Sequence, residues 1–120
     1  MPISYDIDIA QRLVTSRLWE VVTNDEVDDH NRRLRTDPDF DPGYRQLIDV
    51  SGITEIRITT PKVKAVAQDQ YFTPGARRAF FAPSDATFGM ARMFATHAEA
   101  GGQTIEVFRD QKKAEEWLTR

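Results

Sequence analysis

The sequence predicts an α/β fold: one layered domain with a five-stranded mixed sheet and four helices, in the order ββαβαβαβα. Three observations carry this. From Leu47 onward, apolar strand-like runs (Leu47–Val50, Ala79–Ala82 and Thr104–Phe108) alternate three times with capped helical segments. Strands alternating with helices imply parallel pairing through crossovers. Ahead of them, two strand patterns are separated only by Ala10, Gln11 and Arg12, which suits an antiparallel hairpin.

Each element follows from local pattern. Ile3, Tyr5, Ile7 and Ile9 alternate with Ser4, Asp6 and Asp8, the period of a strand with one buried face. Leu13 to Trp19 is rich in strand formers. Thr23-Asn24-Asp25-Glu26 reads as a capping box, with Val22 and Val27 at the flanking staple positions. Val27, His30, Asn31 and Leu34 form the inner stripe of this first helix. The stripe is weakly apolar, which places the helix at an edge of the sheet. Pro38 ends it, and Asp37 to Gly43 is a rigid turn.

Thr60 is expected to cap the second helix, with Pro61 in its first turn, where a missing N–H costs nothing. Val63, Val66, Ala67 and Tyr71 form its buried stripe, and Thr73-Pro74-Gly75 breaks it. Arg78 to Ala82 reads as a central strand, because adjacent Phe80 and Phe81 need cover on both faces. Ser84 caps the third helix and Gly101-Gly102 stops it. Asp110 caps a last helix whose inner residues are Ala114, Trp117 and Leu118. Val50, Ala82 and Phe108 are thereby expected to end side by side under one rim, where sheets of this kind bind ligands.

Composition bounds the function. A chain of 120 residues fits one domain with one core. A net charge of -3, with scattered cations, argues against nucleic-acid binding. Without cysteine there are no disulfides, thiolate metal sites or cysteine nucleophiles, which fits a cytoplasmic protein. The first residues lack the features of a signal peptide. No apolar run approaches the ~20 residues of a membrane span.

The candidate chemistry gathers at the strand ends. Asp49 and Ser51 follow one strand, Ser84 and Asp85 follow its neighbour, and Thr59 and Thr60 start the intervening helix. Hydroxyls and free N–H groups at two helix starts suit a phosphate or carboxylate. The same residues serve equally as plain caps. Asp49 interrupts an apolar run, as a partly buried base or as an acceptor for the turn after it. No His or Lys near it in sequence completes a dyad. Asp37, Asp39 and Asp41 have calcium-loop spacing, but Pro42 and Ile48 occupy the positions that require Gly and Glu. His30 and His97 lie on different helices and assemble no metal site. No metal or other cofactor is expected.

The third helix carries apolar groups on more than one face. Phe88, Met90, Met93 and Phe94 are candidates for an interface or ligand groove, since methionines suit adaptable surfaces and Gly89 admits a second backbone.

The ordered set Leu47 to Thr54, Ala82 to Phe94, the Asp37 to Gly43 turn and the Val107 to Leu118 ending resembles the SpoIIAA-like family, within the STAS or anti-sigma-factor antagonist superfamily. The resemblance implies a STAS-like single domain over 1–120. It also implies a phosphorylatable turn before the second helix, which falls on Arg57-Ile58-Thr59-Thr60. Thr59 is the nearest counterpart of the phosphorylated residue. Arg57 replaces the family's acidic residue, and the glycine is absent.

Two functions follow as expectations. The first is a non-enzymatic interaction or regulatory module, a homodimer or bound to a protein partner, using the Met90–Phe94 helix and the Ser51–Thr60 loop. The alternative is a binder of a small apolar or lipid-like ligand, in a pocket lined by Phe72, Phe80, Phe81, Phe88 and Met93. No nucleophile–base pair is assembled in the sequence, so no enzyme is expected.

Overall fold

A computed structural model describes residues 2–120. Its elements are β1 (Ile3–Asp8), β2 (Leu13–Thr23), α1 (Asn24–Thr36), β3 (Arg45–Arg57), α2 (Thr60–Gln68), β4 (Arg77–Phe81), α3 (Asp85–Ala100), β5 (Thr104–Phe108) and α4 (Gln111–Thr119). The five strands form one sheet in the order β1-β2-β3-β4-β5. β1 pairs antiparallel with β2, and β2 to β5 are parallel. The order ββαβαβαβα and the mixed sheet are those the sequence predicts. The ends of β4 and β5 lie side by side: the Ala82 N–H donates to the Phe108 carbonyl at 2.8 Å.

Helices α1, α2 and α3 cover one face, where Leu18, Val22, Ile48, Val50, Val63, Phe80, Ala91 and Phe94 belong to one buried cluster. α4 alone covers the other face, packing Ala114 and Leu118 on Leu47 and Ala79. The adjacent phenylalanines behave as expected of a covered strand: Phe80 packs with the first cluster and Phe81 with the second. α1 packs over the outer strands β1 and β2, at the edge its weak stripe implies. It starts as the sequence suggests, with the Glu26 carboxylate accepting from the Thr23 N–H at 2.9 Å.

Three expectations are corrected. First, β3 does not end at Val50. It runs on to Arg57 and pairs with a longer β2, from Trp19 opposite Gly52 to Thr23 opposite Arg57. Pairing between β3 and β4 stops at Asp49 and Phe81, so this extension is a two-stranded ribbon. Register shifts at Arg17/Trp19 and Glu20/Val21 interrupt it, with Glu20 at φ 57. Such bulges sharpen strand twist. Gly52 reads as a turn residue in the sequence. Here it permits close strand approach, since a Cβ would sit 2.9 Å from the Trp19 Cβ.

Second, the cap of α2 is Thr59, not Thr60. The Thr59 hydroxyl accepts from the Lys62 N–H at 3.3 Å, and Thr60 is the first helical residue. Third, α2 stops at Gln68, so Tyr71 leaves the helix. Its ring lies 5.9 Å from Phe40 and 5.1 Å from Phe72, and its hydroxyl donates to Asn31 Oδ1 at 3.0 Å. Those contacts replace the further helical turn its spacing suggested.

Gly89 is not approached by a second backbone, because nothing lies within 4 Å of where its Cβ would be. It is an exposed glycine within a helix, and an Ala there recovers about 0.5–1 kcal/mol. Gly89→Ala is therefore expected to raise the urea midpoint by that amount. Gly52→Val is expected to cost about 1–3 kcal/mol through forced strand separation, read in the same titration.

Candidate functional site

The cavity face of the sheet is set by strand alternation, which sends every second residue inward. On β2 these are Val14, Ser16 and Leu18; on β3, Gln46, Ile48 and Val50; on β4, Arg78 and Phe80. Three polar residues thus sit within apolar series, and all three are buried. Register makes them neighbours, with Gln46 opposite Arg78 and Ser16 opposite Ile48.

They form a continuous hydrogen-bonded chain. Arg78 Nε donates to Gln46 Oε1 at 3.0 Å, and Gln46 Nε2 donates to Ser16 Oγ at 3.0 Å. Ser16 Oγ lies 2.9 Å from His30 Nε2, and His30 Nδ1 lies 2.8 Å from Asn31 Oδ1. Tyr71 donates to the same Asn31 oxygen. Proton positions follow from the ends of the chain. Asn31 Oδ1 can only accept, so His30 carries its proton on Nδ1 and takes the Ser16 hydroxyl proton bond at Nε2.

Burial holds the His30 pKa below its ordinary value of 6.5, with the Asn31 bond pulling the other way. The imidazole is therefore neutral at neutral pH, as the chain requires. Burial also lowers Arg78, to about 10, which leaves the guanidinium charged at neutral pH.

Arg78 is 6% exposed and has no carboxylate partner among the described residues. Its guanidinium carbon lies 4.4 Å from the ring centre of Phe72 and 5.6 Å from that of Phe94. Contacts of that kind contribute about 0.5–2 kcal/mol each, and the bond to Gln46 about 1.5–3 kcal/mol. An effective desolvation penalty of several kcal/mol per buried ion is of the same size or larger. Its terminal nitrogens Nη1 and Nη2 have no hydrogen-bond partner among the described residues, yet neither is fully sealed. Arg78 lines a cavity of about 80 Å³ between the sheet and α1, α2 and α3.

Apart from the polar chain the cavity wall is apolar, including Leu18, Ile48, Val50, Val63, Phe80 and Phe94. Val27, Ile58, Val66 and Met90, all partly exposed, line it as well. Among the described residues no Asp or Glu lines it. His30 separates it from a wider, polar cleft of about 400 Å³ at the β1 edge, lined by Tyr5, Glu26, Asp29, Arg33 and Asp37 among others.

Ser16, His30 and Asn31 meet at the distances of a nucleophile, base and orienting group. Two features oppose that chemistry. Ser16 is 0% exposed and its oxygen already accepts from Gln46. β2 is an interior strand, so its backbone N–H groups are taken up by the ladders and leave no oxyanion hole beside Ser16.

The strand-end residues read from the sequence do not converge. Asp49 and Ser51 are within β3, and alternation puts them on the α4 face, with Asp49 Oδ1 accepting from the Ser51 N–H at 2.9 Å and hydroxyl at 2.6 Å. Thr59 and Thr60 lie beyond Arg57, eight strand residues or roughly 26 Å further on. Ser84 caps α3, accepting from the Thr87 N–H at 3.1 Å, and Asp85 pairs with Arg109 at 2.8 Å. Thr59 and Ser84 are occupied as caps, and Ser51 by Asp49.

The apolar residues of α3 turn inward. Phe94 is buried, and Phe88, Met90 and Met93 are half-buried against the main cluster. Of the five residues expected to line a pocket, Phe80 lines this cavity, Phe72 covers the Arg78 guanidinium, and Phe81 lies on the opposite face. Ser16, Gln46 and Arg78 were missed. Their signal was a polar residue at an inward position of three successive parallel strands.

Comparison with known proteins places the fold. An uncharacterised protein of the DUF3478 family from Shewanella loihica PV-4, with a SpoIIAA-like fold, superposes with a TM-score of 0.64 at 15% identity. The match covers 97% of this chain and 93% of that one. The chain therefore has the SpoIIAA-like fold that its sequence resembles. No family model and no curated protein matches it. Among the described residues, no helix is long and apolar enough to cross a membrane, and no cluster of metal-ligating side chains is present.

The buried histidine gives a pH signature. Its folded pKa is depressed, so the unfolded chain takes up the proton first, and stability is lost as pH falls below about 6.5 toward the lower folded value. The urea midpoint is expected to drop between about pH 7.5 and pH 5. His30→Gln, which cannot titrate, is expected to flatten that drop.

Proposed function

We propose that this protein of SpoIIAA-like fold is a non-enzymatic binding module for a small molecule, held in the cavity between the sheet and α1–α3. The observation that supports this reading is the cavity itself. Protein interiors are close-packed, with few voids larger than one water. A void of about 80 Å³ with a buried charged group on its wall departs from that rule. A cavity of about 150 Å³ admits benzene, so a space of about 80 Å³ has room for roughly three to five heavy atoms. That sets the ligand well below the size of a membrane lipid.

Non-enzymatic action rests on the sealed Ser16 hydroxyl and the satisfied caps. The protein-interaction reading has less support. The apolar residues of α3 are drawn into the core, and the fully exposed large apolar side chain among the described residues is Ile9, at 55%.

Fragments of roughly three to five heavy atoms, screened by amide shift perturbation, are expected to move Val27, Ile58, Val66 and Met90 together. Hits that avoid these residues would overturn the reading. The protein is also expected to hydrolyse an activated ester no faster than its Ser16→Ala variant. A rate well above that variant would restore the enzyme hypothesis.

A further inference from the structure

We infer that the ligand is a compact monocarboxylate, its head on the free edge of the Arg78 guanidinium and its apolar body against the cavity wall. This rests on the ligand-binding reading above and adds its chemistry. Phe72 and Phe94 lie against the guanidinium, and Gln46 takes its Nε. What remains is Nη1 and Nη2, two coplanar donors without a partner among the described residues, on a residue that lines the cavity. Two donors in one plane match the two oxygens of a carboxylate, the pairing in which guanidinium is strongest.

Charge points the same way. A buried cation is stabilised by an opposite charge, and among the described residues no acid lines the cavity. A cationic ligand would meet uncompensated repulsion, and a neutral one would leave the charge unpaired. A phosphate dianion fits poorly, because among the described residues Arg78 is the only cation on the wall and the surroundings are otherwise mostly apolar. Asn31 lines the same cavity with its amide nitrogen uncommitted, a second donor for the head group.

Volume sets the length. Of roughly three to five heavy atoms, the carboxylate takes three and leaves at most two carbons. The class therefore runs from formate to propanoate.

The test is a calorimetric or amide-shift titration of the full chain with propanoate, propanamide and propylamine. Propanoate is expected to bind at least about tenfold tighter than the amide, with the amine not binding. Propanamide binding as tightly as propanoate would overturn the carboxylate assignment and leave the ligand-binding reading standing. Binding by none of the three, together with a fragment screen that avoids the cavity, would overturn both.

Two variants locate the site. Arg78→Lys keeps a charge but loses the planar fork, and is expected to weaken propanoate by about tenfold or more. Met90 lines the cavity from α3 and makes no bond in the chain of polar groups, so Met90→Trp is expected to fill the space and abolish binding while the protein stays folded. It keeps the test decisive should Arg78→Lys fail to fold. Unchanged propanoate affinity in Met90→Trp would place the site elsewhere and overturn the inference.

Discussion

A single buried cation organises the helix-covered face of this protein. Arg78 sits on β4 under α3, nearly withdrawn from bulk water, and it retains its charge. A charge in such a place must be held by dipoles or by an opposite charge. Gln46 supplies the first dipole, and Gln46 is itself buried only because Ser16 answers its amide. Ser16 in turn requires an acceptor above the sheet, which fixes His30 on α1. The requirement thus passes from β4 through β3 and β2 into a helix, and a shift of register in any strand would break it. Polar chains of this kind stabilise little in themselves. Their effect is to penalise every alternative arrangement, since each leaves a buried polar group unmet.

The sheet's two faces are built differently. The α4 side is a small apolar layer, joined by Arg77 and Arg45 side chains that donate to carbonyls of Trp117 and Leu118 at 2.8 and 2.7 Å. The side under α1–α3 is larger and less completely filled. Phe80 meets Phe94 edge-on at 5.3 Å, an arrangement worth about 0.5–1.5 kcal/mol beyond its area, and both rings line the cavity with Arg78.

Much of the architecture was legible in the sequence. Alternation in β1, the Thr23, Ser84 and Asp110 caps, and three apolar runs separated by helical stretches gave the element order and the resemblance to the SpoIIAA-like fold. The length of β3 was not legible, because Ser51-Gly52 has the composition of a turn. Pairing with β2 overrides that local preference, and a strand's neighbours decide such cases more often than its residues do. Tyr71 fell outside its helix for a similar reason: a tertiary contact with Asn31 outweighed helical spacing. The site was half legible. A polar residue at an inward position is visible on each of β2, β3 and β4, and His30 is visible on the inner stripe of α1. That these become one chain depends on register across three strands, which no local window contains. The Ser and Thr residues at helix starts drew attention instead, and the structure uses Thr59 and Ser84 to satisfy backbone donors.

Asn24 and Thr59 hold one another through two bonds: the Thr59 N–H donates to Asn24 Oδ1 at 3.0 Å, and Asn24 Nδ2 to the Thr59 hydroxyl at 3.3 Å. One residue opens α1 and the other caps α2, so the leading ends of two helices roofing the void are fastened together. Lys62 and Asp28 tie the same pair one turn further in, at 2.8 Å. Neither helix can lift alone without breaking a fastening, so admission of a guest requires the pair to rise as one flap, or Met90 to swing aside on α3.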